Sequence, residues 1–386
     1  MAAPDGPDGP GPTEALVALI CEDEADDVRA AHALLDAGAD PNGYVAARDT
    51  TPLHEAVAWN RLRIAQALLE RGGRVDLTLP RAPHAPPSAL SLLRAAPFRP
   101  AIWRAALSLG LMNLLGPRFP EGLDLGDRTL EEECCSKPMA RLLVRHGADP
   151  MRLDAEYRPA ATGADLIAPR EVTPDQFKRQ ATPRPGTANP EPCDDAFLIE
   201  QIRTGRSGYA AGKAVMGTQH SSIDTGPVWS FARFGQSATR LPDGRLVLIA
   251  GEHEDHYDPD FCIYNDVTVL DRTGGVQHFL YPRELFPPTD FHSATLVGDG
   301  ILLIGNLGYP EARRDGDTQV LRLDLGDFSI APVETQGEQP GWIHRHKAEL
   351  TDAGIRVTGG KIEPGYRDRT ETHLLDLSSW TWRQVG

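Results

Sequence analysis

The chain has 386 residues, 40% of them hydrophobic and 24% charged, which excludes wholesale disorder and a fibrous repeat and, at roughly 150 residues per domain, predicts two or three domains. Asp and Glu number 55 against 39 Lys and Arg, a formal net charge of -16. A surface of that sign repels phosphate backbones and anionic headgroups, so neither nucleic acid nor membrane is an expected partner.

The first twelve residues, MAAPDGPDGPGP, hold no basic or apolar run; they are expected to be disordered and do not read as a signal peptide. Apolar runs such as Leu246–Gly251 fall far short of the roughly 20 residues that span a bilayer. Cys21, Cys134, Cys135, Cys193 and Cys262 are scattered without Cys-x-x-Cys spacing. Neither a disulfide framework nor a structural zinc site is indicated, and a reducing compartment, the cytoplasm, fits best. The 34 Arg against 5 Lys, with abundant Ala, Pro and Gly, resemble the usage of GC-rich bacterial genomes.

Residues 13–168 read as a helical repeat. Leu34-Leu35-Asp36-Ala37-Gly38-Ala39-Asp40-Pro41 recurs as Leu68-Leu69-Glu70-Arg71-Gly72-Gly73-Arg74, Ala106-Leu107-Ser108-Leu109-Gly110 and Leu143-Val144-Arg145-His146-Gly147-Ala148-Asp149-Pro150, with glycine-to-glycine steps of 34, 38 and 37. Each phrase ends an apolar-periodic helix at a glycine able to take the left-handed cap. Upstream of the second copy, Thr51-Pro52-Leu53-His54-Glu55-Ala56 offers an N-cap followed by proline at the first helical position. This hexapeptide resembles the signature of the ankyrin repeat. The resemblance implies a solenoid of about four repeats, the third (around Pro86–Leu90) and fourth (around Glu131–Cys135) degenerate, with Ala161–Ala168 as a half-repeat cap. It also implies protein binding and a structural role for His54. Trp59 and Arg61, between the helices of the second repeat, are the candidate contact residues.

Residues 169–193 contain six prolines between Pro169 and Pro192, and read as an interdomain linker that neither propagates a helix nor fills a core. A short helix is expected over Asp194–Thr204.

From Phe231 onward a second repeat runs with a period of 52 to 56 residues. First strands begin at Gln236-Ser237, His292-Ser293 and His346-Lys347. Second strands are Leu246–Gly251, Ile301–Asn306 and Ile355–Gly360, and third strands end at Asp271, Asp324 and Asp376. Gly-containing turns between short apolar runs, four strands per period, are the pattern of a propeller blade. The segment resembles the kelch repeat, with only Gly359-Gly360 an intact glycine pair and the fourth-strand Trp present only as Trp380 and Trp382. Closed propellers need about four to eight blades, so the three units over 194–386 predict an open or irregular kelch-like propeller. Gly226–Phe231 is expected as a strand of a further blade. The fold class is thus multidomain, α plus β.

Repeat symmetry sets the loops after the second strands on one face. They supply His253, His256 and Tyr257, then Tyr309, Arg313 and Arg314, then Tyr366 and Arg367, the residue types that binding surfaces favour. His253 and His256 are weak candidate metal ligands. His292 and His346 are expected to bond adjacent blades. No nucleophile elbow, phosphate loop or dinucleotide fingerprint is found, and no cofactor is implied. The expected function is a non-catalytic protein–protein interaction scaffold, or an inhibitor of the antitoxin or immunity kind, in the bacterial cytoplasm. Its partner is a protein whose identity the sequence does not give. The charge suits a basic one, and homodimerisation is an expected consequence of the short blade count. The alternative is a metal-dependent enzyme centred on His253 and His256.

Overall fold

Local capping chemistry explains the helices of the first half. Thr51, extended at φ −119° and ψ 161°, accepts the His54 N–H on its hydroxyl while Pro52 opens helix α3 (Pro52–Ala58). The recurring glycine phrase is a repeated six-residue closure. Ala39 N–H donates to Leu34 O (3.0 Å), Gly73 N–H to Leu68 O (2.8 Å) and Ala148 N–H to Leu143 O (3.0 Å), and Gly38, Gly72 and Gly147 are left-handed at φ 98°, 90° and 99°.

The computed structural model describes residues 10–22, 25–79, 128–217, 226–253 and 258–385. It divides into two compact units, Met1–Tyr157 and Arg158–Gly386. In the first, α1 (Pro12–Glu22) packs with α2 (Val28–Asp36) and α3 with α4 (Leu62–Glu70); α1 lies on α3 and α2 on α4. α5 (Leu130–Glu133) then lies on α3, and α6 (Lys137–Arg145) on α4. The fourth phrase thus lies on the second, where about four repeats were expected over residues 13–168. Leu79 and Arg128 exchange backbone hydrogen bonds at 2.9 and 2.8 Å, and Ser136 Oγ donates to Asn60 Oδ1 (2.5 Å). The expected third copy, with Pro86–Leu90 and Gly110, lies outside the described residues.

The second unit opens with α7 (Arg158–Thr162), where the half-repeat was expected. The proline-rich stretch also differs from the reading as a linker without structure. Pro174 starts α8 (Pro174–Gln180) under a capping box formed by Thr173 and Gln176, since a proline at the first position has no N–H to lose. Helices α9 (Ala196–Thr204) and α10 (Gly208–Met216) follow.

Three antiparallel meanders make up the β-rich remainder. The first contains β2 (Ser237–Arg240), β3 (Leu246–Ile249), β6 (Asp266–Leu270) and β7 (Val276–Leu280). The second is β8 (Ser293–Val297), β9 (Gly300–Ile304), β10 (Val320–Asp324) and β11 (Ile330–Pro332); the third is β14 (Lys347–Thr351), β15 (Gly354–Thr358), β18 (His373–Asp376) and β19 (Thr381–Gln384). Short β4 (Glu252–His253) and β5 (Cys262–Ile263) pair after β3. β13 (Trp342–His344), β16 (Lys361–Glu363) and β17 (Arg367–Asp368) form a ribbon beside the third sheet's loops.

The sheets pack face to face in order. Val247, Ile249, Val267 and Phe279 of the first meet Ile301, Leu303, Leu321 and Leu323 of the second; Leu302, Ile304 and Val320 on its other face meet Ile355, Val357 and Leu375 of the third. The innermost strands β2, β8 and β14 lie side by side. Among the described residues the sheets do not close into a ring.

The outer edges are sealed by chain from the second unit itself. β1 (Glu191–Pro192) pairs with β7, and β12 (Gln336–Gly337) runs parallel to β19. On β11, Asn189 Nδ2 donates to Ile330 O (2.8 Å) and its Oδ1 accepts the Ile330 N–H (2.9 Å), a side chain standing in for a strand. Gly186 passes so close to β7 that a Cβ there would lie 2.5 Å from Leu280 C. Gly226–Phe231 is not the expected blade strand. It crosses the free face of the first sheet, where buried Trp229 sets its ring edge-on to His278 and donates from Nε1 to Asp266 Oδ2 (2.9 Å).

Candidate binding face

The β unit carries a repeated device just before each innermost strand. Gly235, Phe291 and Arg345 occupy equivalent positions and are all left-handed, at φ 59°, 48° and 57°. Phe291 N–H donates to Gly235 O (2.9 Å) and Arg345 N–H to Phe291 O (2.8 Å). The first position must be glycine, because a Cβ on Gly235 would meet Phe291 N at 2.5 Å. The Arg345 guanidinium lies 3.3 Å from the Phe291 ring centroid, and Phe234 beside them is 49% exposed.

One residue further on, His292 and His346 bond neighbouring sheets. His292 Nε2 pairs with Ser237 Oγ at 2.7 Å and His346 Nε2 with Ser293 Oγ at 2.8 Å. Each histidine therefore ties its sheet to the preceding one.

A polar cluster links the second and third loops. Asp290 Oδ1 accepts the Gly308 N–H (2.7 Å), and Asn306 bridges Asp290 N–H (3.0 Å) and Pro288 O (3.0 Å). Burial pushes the Asp290 carboxyl above its ordinary value against the pull of Gly308 N–H, Glu252, Arg345 and Arg313. Arg313 donates to Leu307 O (3.0 Å) and Gly308 O (3.1 Å) and stands 3.5 Å from Glu363. His344, fully buried, lies 3.7 Å from the same carboxylate and is held at about 4, chiefly by burial.

The residues singled out from the sequence part company here. Arg313 stands beside Glu363, and half-exposed Tyr366 is tilted against His344 at 5.4 Å. Arg314 and Arg367 are exposed. Tyr309 packs inward, its hydroxyl accepting the Ile263 N–H (3.0 Å) and its ring edge-on to Phe261. His253 is 4% exposed, its Nδ1 paired with Tyr264 Oη at 2.8 Å, and its pKa is lowered to about 4 by burial and Arg233. His256 and Tyr257 lie outside the described residues. Among those described, no group of three His, Cys, Asp or Glu is placed to hold a metal ion.

Trp59 and Arg61 belong to the first unit. Trp59 is 44% exposed and donates to Glu55 Oε2 (2.8 Å), whereas Arg61 is turned inward, donating to Ile20 O (3.2 Å). The sequence reading missed Phe291, Arg345, Asp290 and His344. Aligning Gly235-Gln236-Ser237, Phe291-His292-Ser293 and Arg345-His346-Lys347 would have isolated the first two.

It also missed the buried cluster beneath the first sheet's free face. Arg233 sits between the Trp229 ring (4.7 Å) and the Tyr264 ring (3.4 Å) and bonds both oxygens of Asp266 at 2.5 and 2.9 Å. Burial alone would raise Asp266, but the guanidinium holds it below the ordinary carboxylate range. With both charges paired and hydrogen-bonded, the cluster pins residues 229–233 to the sheet.

Residues 48–80 match the family model of the ankyrin repeat. No curated protein sequence matches the chain. Ankyrin repeats generally mediate protein–protein contacts and are non-enzymatic modules. No helix among the described residues is long and apolar enough to cross a membrane.

Proposed function

We propose that this protein is a non-catalytic interaction scaffold or inhibitor, binding a protein partner through its ankyrin unit and through the loop face of an open, three-bladed, kelch-like fan. The observation that carries this reading is the ankyrin repeat at residues 48–80, a module of protein recognition. The fan is supported by three successive four-stranded meanders with adjacent innermost strands. Trp59, Tyr366, Arg313, Arg314 and Arg367 are the proposed contact residues, aromatic and arginine side chains being the usual anchors of interfaces. A net charge of -16 suits a basic partner and speeds its association, as an inhibitor of the antitoxin or immunity kind would require. Five cysteines, all thiols, suit the cytoplasm.

The test is affinity capture with the intact chain at rising salt, beside Trp59→Ala and a Tyr366→Ala/Arg367→Ala variant. A partner held by the parent chain, weakened by either change and released by salt, fits the proposal. No partner, or one held equally by all three proteins, overturns it.

A further inference from the structure

The three sheets differ in how many of their faces are buried, and their second strands carry the difference. Leu246-Val247-Leu248-Ile249 of β3 and Gly300-Ile301-Leu302-Leu303-Ile304 of β9 are buried at every residue. In β15 the pattern alternates, with Ile355 and Val357 buried and Arg356 exposed. A continuous apolar run belongs to a strand covered on both faces, and alternation to one with a single covered face.

Register extends this alternation across the third sheet. Glu349, Arg356, Leu374 and Arg383 stand opposite one another in a single row. Ile355, Leu375 and Trp382, in the adjacent row, belong to the core shared with the second sheet. Arg356 pairs with Glu349, Arg383 is exposed, and Leu374 is kept to 6% exposure between the two arginines, whose stems can cover apolar surface while their heads stay in water. Burying this row under another sheet would desolvate its charges without new partners for them.

The inter-blade ladder agrees. Ser237 and Ser293 each receive a histidine from the following sheet; the equivalent residue of the third sheet is Lys347, exposed, the residue type that guards free β edges. The opposite end of the fan is covered differently, by Trp229 on the first sheet's free face.

We infer that the outer face of the third sheet faces water and does not pair with the same face of a second copy. This rests on the fan reading above but not on any partner, and its test needs none.

Arg383→Cys in the intact chain is labelled with a thiol reagent under native conditions and read by peptide mass, beside Asp315→Cys on an exposed loop as a reference. Comparable rates are expected; marked protection of the Arg383→Cys site overturns the inference. Light scattering on the unsubstituted chain gives a second reading. A monomer, or a dimer that persists after Arg383→Glu, agrees with a free face, whereas a dimer abolished by Arg383→Glu overturns it.

Discussion

His292 and His346 each bind a serine of the preceding sheet through Nε2, so removing one hydroxyl should leave a buried imidazole nitrogen without its partner. Ser293→Ala is expected to lower unfolding stability by about 1–3 kcal/mol, measured from the denaturant midpoint at unchanged slope. An unchanged midpoint would show that the bond adds nothing. The same histidines set the response to acid. Burial lowers His292 to about 3 and His346 to about 4, with His278 also at about 4, whereas an unfolded imidazole titrates near 6.5. Below that pH the unfolded chain takes up protons that the folded chain refuses. The stability is therefore complete above about pH 6.5 and is lost as pH falls toward the folded values. Urea midpoints should drop across that window and drop less in a His292→Gln/His346→Gln variant; parallel profiles would count against the assignment. The structural role of these two histidines was legible in the sequence because repeat alignment superimposes them. Asp290 and Arg233 were not, since their partners Gly308 and Asp266 lie 18 and 33 positions away and follow no period.

Elements were legible where a local rule governs them. The glycine closures follow from φ alone, and the first hairpin of each sheet announced itself by its turn, at Gly244, Gly300 and Gly354. The stretch after Pro169 was opaque for a physical reason: proline forbids interior strands and helices but is well suited to the first position of α8 and to an edge-sealing strap, and only the neighbouring sheets decide which use applies. The order of the helical repeats was opaque for another reason, because a recurring phrase does not reveal which copies are neighbours. The paired backbones of Leu79 and Arg128 bring the two ends of the intervening segment together. Replacing residues 81–126 with a short Gly-Ser link is therefore expected to leave the helix stack folded, with helical circular dichroism and melting temperature of the first unit retained. Loss of cooperative melting would mean that the segment is an integral repeat. An Asn60→Cys/Ser136→Cys pair in the intact chain offers a check independent of the deletion, since these side chains touch; it should oxidise to a disulfide, and failure to do so would contradict direct stacking.

For the whole molecule, the two-part plan of helices followed by sheets could be read from the change of period, but the position of the break could not. Sequence composition put it in the prolines, at residues 169–193; the compact units meet between Tyr157 and Arg158. The difference has a mechanical consequence. Residues 186–193 seal the outer edge of the first sheet and clasp the second through Asn189. Phe177 of α8 packs edge-on against Phe197 of α9, in the helical layer joined to Trp229 through the Ala181 carbonyl. A fragment of residues 158–386 should thus unfold cooperatively and stay dispersed. A fragment of residues 194–386 should lose the strap and α8, exposing the β7 edge, and should aggregate or unfold at lower denaturant, because an unguarded edge recruits other chains. Equal stability of the two fragments would show that the strap is dispensable and return the boundary to the prolines.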